Sequence, residues 1–122
     1  MPGTRALIVD DDEPIRTMLA TLVARQGYHV ETARDGEEAI RCLDADGYSL
    51  ILLDIMMPRV DGYTVLRHIK ESNPDLLRCT IIASAVPEQE ILSKIAEPVY
   101  KIHVKPFDMA RLIADIRGCS TS

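Results

Sequence analysis

Short apolar runs recur along this chain, and nearly every one ends on an acid, a hydroxyl or a cation. Ala6-Leu-Ile-Val9 runs into Asp10-Asp11-Asp12, and Leu50-Ile-Leu-Leu53 into Asp54. Thr80 to Ala83 runs into Ser84, and Val99 to Val104 into Lys105. The continuously apolar runs among these, Ala6 to Val9 and Leu50 to Leu53, read as strands buried on both faces, the habit of a parallel sheet. Tyr28 to Ala33 supplies a fifth strand. Between the strands the apolar period changes to that of a helix. Ile15, Met18, Leu19, Leu22 and Val23 form the first helical stripe; Ala39, Ile40 and Leu43 the second; Val65, Leu66 and Ile69 the third. Ile91, Leu92 and Ile95 form the fourth, and Met109, Leu112, Ile113 and Ile116 the last.

Turn chemistry agrees with this order. Asp12 is placed to cap the first helix, with Pro14 in the first turn, where a missing N–H costs nothing. Gly27 suits the stop of that helix. Asp35-Gly36 opens the second helix, which ends near Asp46-Gly47, and Asn73-Pro74 closes the third. Pro87 starts the fourth helix, and Pro87 and Pro98 together predict that it is short or shifted. The tail from Gly118 to Ser122 reads as a fraying end. Five strands alternating with five helices require an α/β fold, doubly wound, because right-handed crossovers must cover both faces of the sheet. No repeat, low-complexity linker or second domain is visible, so a single domain over residues 1–122 is expected, and a stand-alone one is favoured.

Composition narrows the function. With 47% hydrophobic residues the 122-residue chain can bury a core without staples. No apolar run reaches the roughly 18 residues that span a bilayer, and no signal-peptide pattern opens the chain, so a cytoplasmic protein is expected, with no membrane partner. Lys and Arg number 14 against 19 Asp and Glu, for a net charge of −5, and the basic residues are scattered. That argues against nucleic-acid contact, which needs a clustered basic face. Cys42, Cys79 and Cys119 are odd in number and lack CxxC spacing, so three reduced thiols are expected rather than a disulfide or a zinc site.

The polar residues that end the strands carry the chemistry. Open parallel sheets bind ligands at the carboxyl ends of their strands. The pattern therefore gathers Asp10, Asp11, Asp54, Ser84 and Lys105 on one edge. Clustered carboxylates repel, and a hard divalent cation with oxygen ligands resolves the conflict; magnesium fits such a set, and zinc lacks a nearby His or Cys. Helix capping alone explains Asp12 but does not require three acids in a row.

These residues resemble the response-regulator receiver family over nearly the whole chain. The carrying pieces are Ile8-Val-Asp-Asp-Asp12, Leu52-Leu-Asp-Ile-Met-Met-Pro58 with Asp61-Gly62, Ala83-Ser84-Ala85, and Val104-Lys-Pro-Phe107. The resemblance implies a flavodoxin-like strand order of 2-1-3-4-5 and a phosphorylation switch. It implies that Asp54 accepts a phosphoryl group from a phosphohistidine on a sensor histidine kinase or phosphotransfer protein, and that a downstream protein reads the result. Asp10 and Asp11 match the acidic pair that binds Mg2+ together with Asp54, with Asp11 the more direct ligand, and Met56 matches the position lending a backbone carbonyl. Ser84 matches the hydroxyl that captures the phosphoryl group, Lys105 the lysine that pairs with it, and the Lys105–Pro106 bond is expected to be cis. The output surface is expected where the fourth helix, fifth strand and fifth helix meet.

Departures matter as well. Ile102 stands where relatives carry an aromatic that rotates on phosphorylation. Tyr100, two residues earlier, is expected on the same face of the strand without replacing it. Glu97-Pro98-Val99-Tyr100 replaces the usual small turn before the fifth strand. Apolar Met56 and Val86 flank the pocket and are expected to shield an acyl phosphate from water, lengthening its life. His29, His68 and His103 are expected to be ordinary surface or core residues. A haloacid-dehalogenase-like phosphohydrolase needs a second acid two residues after the nucleophile, where this chain has Met56. A flavodoxin-like cofactor binder conflicts with the acidic mouth. The remaining alternative is a degenerate receiver acting as a phosphorylation-independent interaction module.

Overall fold

The computed structural model describes residues 4–96 and 98–121. Five strands, β1 (Arg5–Val9), β2 (His29–Ala33), β3 (Leu50–Leu53), β4 (Thr80–Ser84) and β5 (Lys101–Val104), form one sheet in the order β2-β1-β3-β4-β5. Every pairing is parallel. The helices are α1 (Glu13–Ala24), α2 (Gly36–Ala45), α3 (Gly62–Ser72), α4 (Glu88–Lys94) and α5 (Met109–Thr121). The doubly wound fold expected from the sequence is the one observed.

Strand alternation sorts the core into two layers. Ala6, Ile8, Leu50, Leu52 and Ile81 face Leu19 and Val23 of α1 and Leu112 and Ile116 of α5. Leu7, Val9, Ile51, Leu53 and Ile82 face Ala39 of α2, Val65, Leu66 and Ile69 of α3, and Ile91 of α4. Each fully buried Leu or Ile of this kind contributes about 1.5–3 kcal/mol of transfer free energy. The two edge strands depart from the wholly apolar pattern. β2 mixes His29, Glu31 and Thr32 with Val30 and Ala33, of which Ala33 alone is buried. β5 alternates Lys101 and His103 with Ile102 and Val104, of which His103 alone is buried.

Caps fix where four helices start. The side chains of Asp12, Asp35, Asp61 and Asp108 accept hydrogen bonds from the backbone N–H of Ile15, Glu38, Thr64 and Arg111. Gly27 takes a φ of +98°, and its N–H closes on the Ala24 carbonyl. Gly62 permits a close approach: a Cβ there would lie 2.5 Å from the carbonyl oxygen of Asp54 and 2.7 Å from Cα of Ile55. The start of α3 can therefore rest directly on the backbone that presents Asp54.

Several expectations need correction. A 3-10 helix, Pro74–Cys79, fills the connection between α3 and β4, burying Leu76 and Leu77. β4 includes Ser84, one residue beyond the expected end, whereas β5 begins only at Lys101. α4 is short, seven residues, with no side-chain cap at Pro87 and Ile91 its buried residue. Ile95 lies outside it, in extended conformation, and packs on the core from there. Gly118 and Cys119 are not a fraying tail but belong to α5, because Cys119 is buried against the α1–α5 layer; Ser122 lies outside the described residues, as does Glu97. The expectation of three reduced thiols is also overturned. Cys79 and Cys119 are disulfide-bonded with Cα atoms 5.7 Å apart, and Cys42 is free. Their 40-residue separation hid a contact that exists only once α5 lies against β4.

Candidate functional site

Parallel strands bring all their carboxyl ends to one edge, and hydrogen bonds extend the ladder one residue past them. Asp10 N–H donates to the Ala33 carbonyl, Asp54 N–H to Val9, and Lys105 N–H to Ser84. The residues that follow β1, β3 and β5 are thus held as firmly as the strands.

Carboxylate oxygens of Asp10, Asp11 and Asp54 lie within 4.8 Å of one another. Asp10 is fully buried and Asp54 is 4% exposed, while Asp11 faces solvent. Lys105 reaches over from β5, its Nζ 3.2 Å from Asp10 Oδ2 and 3.5 Å from Asp54 Oδ2. Asp10 Oδ1 accepts from the Asp12 N–H at 2.9 Å, and Asp54 Oδ1 accepts from the Met56 N–H at 3.4 Å. The Lys105–Pro106 peptide is cis, as expected.

Burial pushes the Asp10 carboxyl above the usual range; the Asp12 N–H works against this shift and the nearby Asp54 charge adds to it. Burial opposes the charge on Lys105, but the carboxylates of Asp54 and Asp10 more than offset it and raise its pKa. One ammonium cannot neutralise three carboxylates, so the cluster keeps excess negative charge. An all-oxygen donor set with that excess fits a hard divalent cation such as Mg2+.

An elevated acid titrates with a definite sign. A carboxyl whose folded pKa exceeds its unfolded value favours folding when protonated, and that contribution is lost as pH rises through the folded value. Ionised Asp10 is therefore a burden at neutral pH. Asp10→Asn is expected to stabilise the protein in chelator by about 1–2 kcal/mol, read as a higher thermal midpoint at pH 7 that converges with wild type at low pH.

Ser84 occupies the same edge but is engaged elsewhere: it is fully buried, and its Oγ accepts from the Val86 N–H at 3.3 Å. Met56 is 64% exposed, whereas Val86 is buried; both border the cleft beside Asp11. Sequence reasoning passed over Arg16, whose Nη1 donates to the Asp10 carbonyl at 2.8 Å. Its position one turn beyond the Asp12 cap is the signal that was available.

Around the readout region, Ile102 is half-buried against the α2–α4 layer, but Tyr100 packs on the opposite, α1–α5 layer. The expected common face is thus corrected. Tyr100 precedes β5 in a bend, where strand alternation does not apply. Of the histidines, His68 Nε2 lies 2.8 Å from Asp44 and His103 Nε2 2.7 Å from Asp115, while His29 is exposed.

Comparison with known proteins agrees with this geometry. The family described as response regulator receiver domain matches residues 6–117. The chain is 33% identical over 115 residues to the transcriptional regulatory protein TrcR of Mycobacterium tuberculosis, covering 93% of this chain and 44% of TrcR. The chain spans about half the length of the curated relatives it matches. Among solved structures, the response regulator TrrA of Thermotoga maritima, in complex with Mg2+-BeF, superposes with a TM-score of 0.83 at 31% identity, covering 95% of this chain and 98% of that one. The receiver domain of the sensor histidine kinase PA1611 of Pseudomonas aeruginosa, with a magnesium ion coordinated in its active-site cleft, gives 0.84 at 26% identity, covering 98% and 99%. The chain belongs to the response regulator receiver family of two-component signalling.

Proposed function

We propose that this domain is a phosphorylation switch whose acceptor is Asp54. The observation that carries the reading is the pair of buried carboxylates, Asp10 and Asp54, bridged by the single ammonium of Lys105. A carboxylate oxygen of Asp54 attacks phosphorus, the P–N bond of a donor phosphohistidine breaks, and its electron pair returns to the imidazole. Asp10, Asp11, Asp54 and the Met56 carbonyl are the groups that would hold Mg2+, and the ion would supply charge neutralisation for the transferring group. Lys105 then pairs with a phosphoryl oxygen, and Ser84 turns its hydroxyl from the Val86 N–H to the phosphoryl group. The switch is a signalling device, with self-catalysed chemistry only.

The donor is a sensor histidine kinase or phosphotransfer protein, and a downstream protein reads the surface of α4, β5 and α5. With Ile102 in place of an aromatic, the signal passes through the backbone of this surface rather than through ring rotation. The domain works in the cytoplasm, and its net charge of −5 supports a surface that contacts no nucleic acid itself. Among the described residues no helix is long and apolar enough to cross a membrane.

The test is mass spectrometry after incubation with acetyl phosphate, with and without Mg2+. Wild type is expected to gain one phosphate only with Mg2+, and Asp54→Asn none. No adduct on wild type would favour a phosphorylation-independent interaction module instead.

A further inference from the structure

The cross-link between Cys79 and Cys119 lies far from the acidic edge and has no part in phosphoryl chemistry. Cys79 ends the 3-10 helix just before β4, and Cys119 sits in the last turn of α5. Two further contacts converge there. The Tyr100 N–H donates to the Thr80 carbonyl at 3.0 Å, joining the start of β4 to the approach of β5. The Tyr100 hydroxyl lies against Gly118, where a Cβ would stand 2.4 Å from it, so the glycine leaves room for the end of the ring on α5. One junction therefore ties β4, the residue before β5, and the end of α5.

That end of α5 is intrinsically weak. Gly118, Cys119, Ser120 and Thr121 are all poor helix formers, and the last turn carries no basic residue to complement the helix dipole. The turn needs an external fastening, and the cross-link provides one. Its sulfurs are also placed for reversible chemistry. Cys119 is buried, whereas Cys79 is half-buried. Cys42 is a poor competitor, because burial pushes its thiol above the ordinary range. A disulfide in a reducing compartment is ordinarily a transient, sensing one.

We propose that Cys79 and Cys119 form a redox-controlled latch that fastens the last turn of α5 to the β4–β5 junction when oxidised and releases it when reduced. In the closing direction, the Cys79 thiolate attacks one sulfur of a low-molecular-weight disulfide RSSR and expels RS−. The Cys119 thiolate then attacks the Cys79 sulfur and expels the second RS−. The two cysteines lose two electrons and two protons, which leave as two RSH. A dithiol reductant reverses both steps. Because Tyr100 rests on Gly118, opening the latch also loosens the face read from β5 and α5.

The experiment compares the purified chain equilibrated with oxidised glutathione or with dithiothreitol. Alkylation under denaturing conditions and mass spectrometry are expected to tag Cys42 alone after oxidation and all three cysteines after reduction. Oxidation is expected to raise the thermal midpoint by about 10 °C, from the entropy of a closed loop of this size. It is also expected to slow amide exchange over residues 116–121 by about 10-fold. Cys79→Ser is expected to abolish both responses. Three tags after oxidation, a cross-link involving Cys42, or identical exchange in the two forms would overturn the latch, and the wild-type comparison decides this even if the variant folds poorly. The Asp54 adduct with acetyl phosphate, measured on both forms, reports separately on the switch chemistry.

Discussion

Lys105→Met is expected to slow acetyl-phosphate labelling of Asp54 by about 10²-fold at saturating Mg2+, the usual cost of deleting one preorganised charge at a transferring group. Methionine keeps the length of the side chain and removes its charge, so the effect isolates the ammonium that now sits 3.2 Å from Asp10 and 3.5 Å from Asp54. The same change leaves two buried carboxylates without their shared cation. In chelator it is expected to cost about 2 kcal/mol of stability, and Mg2+ is expected to restore part of it. The pH dependence has a fixed sign. The lysine pKa is raised on folding, so its contribution is complete below the unfolded value and disappears as pH rises through the folded one. The gap between wild type and variant should hold at neutral pH and close in strong alkali. Unchanged labelling kinetics would remove Lys105 from the mechanism.

Gly62→Ala is the second large effect. The added methyl would meet the Asp54 carbonyl oxygen at 2.5 Å and Cα of Ile55 at 2.7 Å, and both are backbone atoms that cannot swing aside. The start of α3 must therefore lift, straining the Gly62 N–H bond to the Ile55 carbonyl at 2.9 Å. A loss of about 2–3 kcal/mol in urea denaturation is expected, with slower labelling of Asp54, because the displaced backbone is the one that presents it. Gly47→Ala is the control: nothing lies within 4 Å of its Cβ position, and its cost should stay within about 0.5 kcal/mol. Equal costs for the two substitutions would show that the loop has room to move.

The fold was legible because β1, β3 and β4 are buried on both faces and carry almost no polar interruption. The acidic edge was legible because a parallel sheet places all strand ends together, so Asp10, Asp54, Ser84 and Lys105 could be grouped from their positions alone. What stayed hidden depended on three-dimensional packing. Leu76 and Leu77 make too short an apolar pair to announce a 3-10 helix. Arg59 adopts a φ of +66° and reaches Asp35 and Glu37 across a loop, which no local pattern marks. The Cys79–Cys119 pairing needs the docking of α5. Tyr100 changes face because it lies in a bend, and a period of two holds only inside a strand.

The shortness of α4 has a consequence for how much work a signal must do. A helix of seven residues does not hold its shape alone in water; it persists here largely through the docking of Ile91. Burying one such side chain is worth about 1.5–3 kcal/mol, and a hydrogen bond to a charged group is worth about 1.5–3 kcal/mol. The two quantities match. On the proposed reading, a new bond from Ser84, which Ala85, Val86 and Pro87 separate from α4, is comparable in size to the docking of Ile91. The fold places a short helix without a side-chain cap beside Ser84, so the phosphoryl capture proposed for Ser84 would act on a helix held largely by one buried side chain.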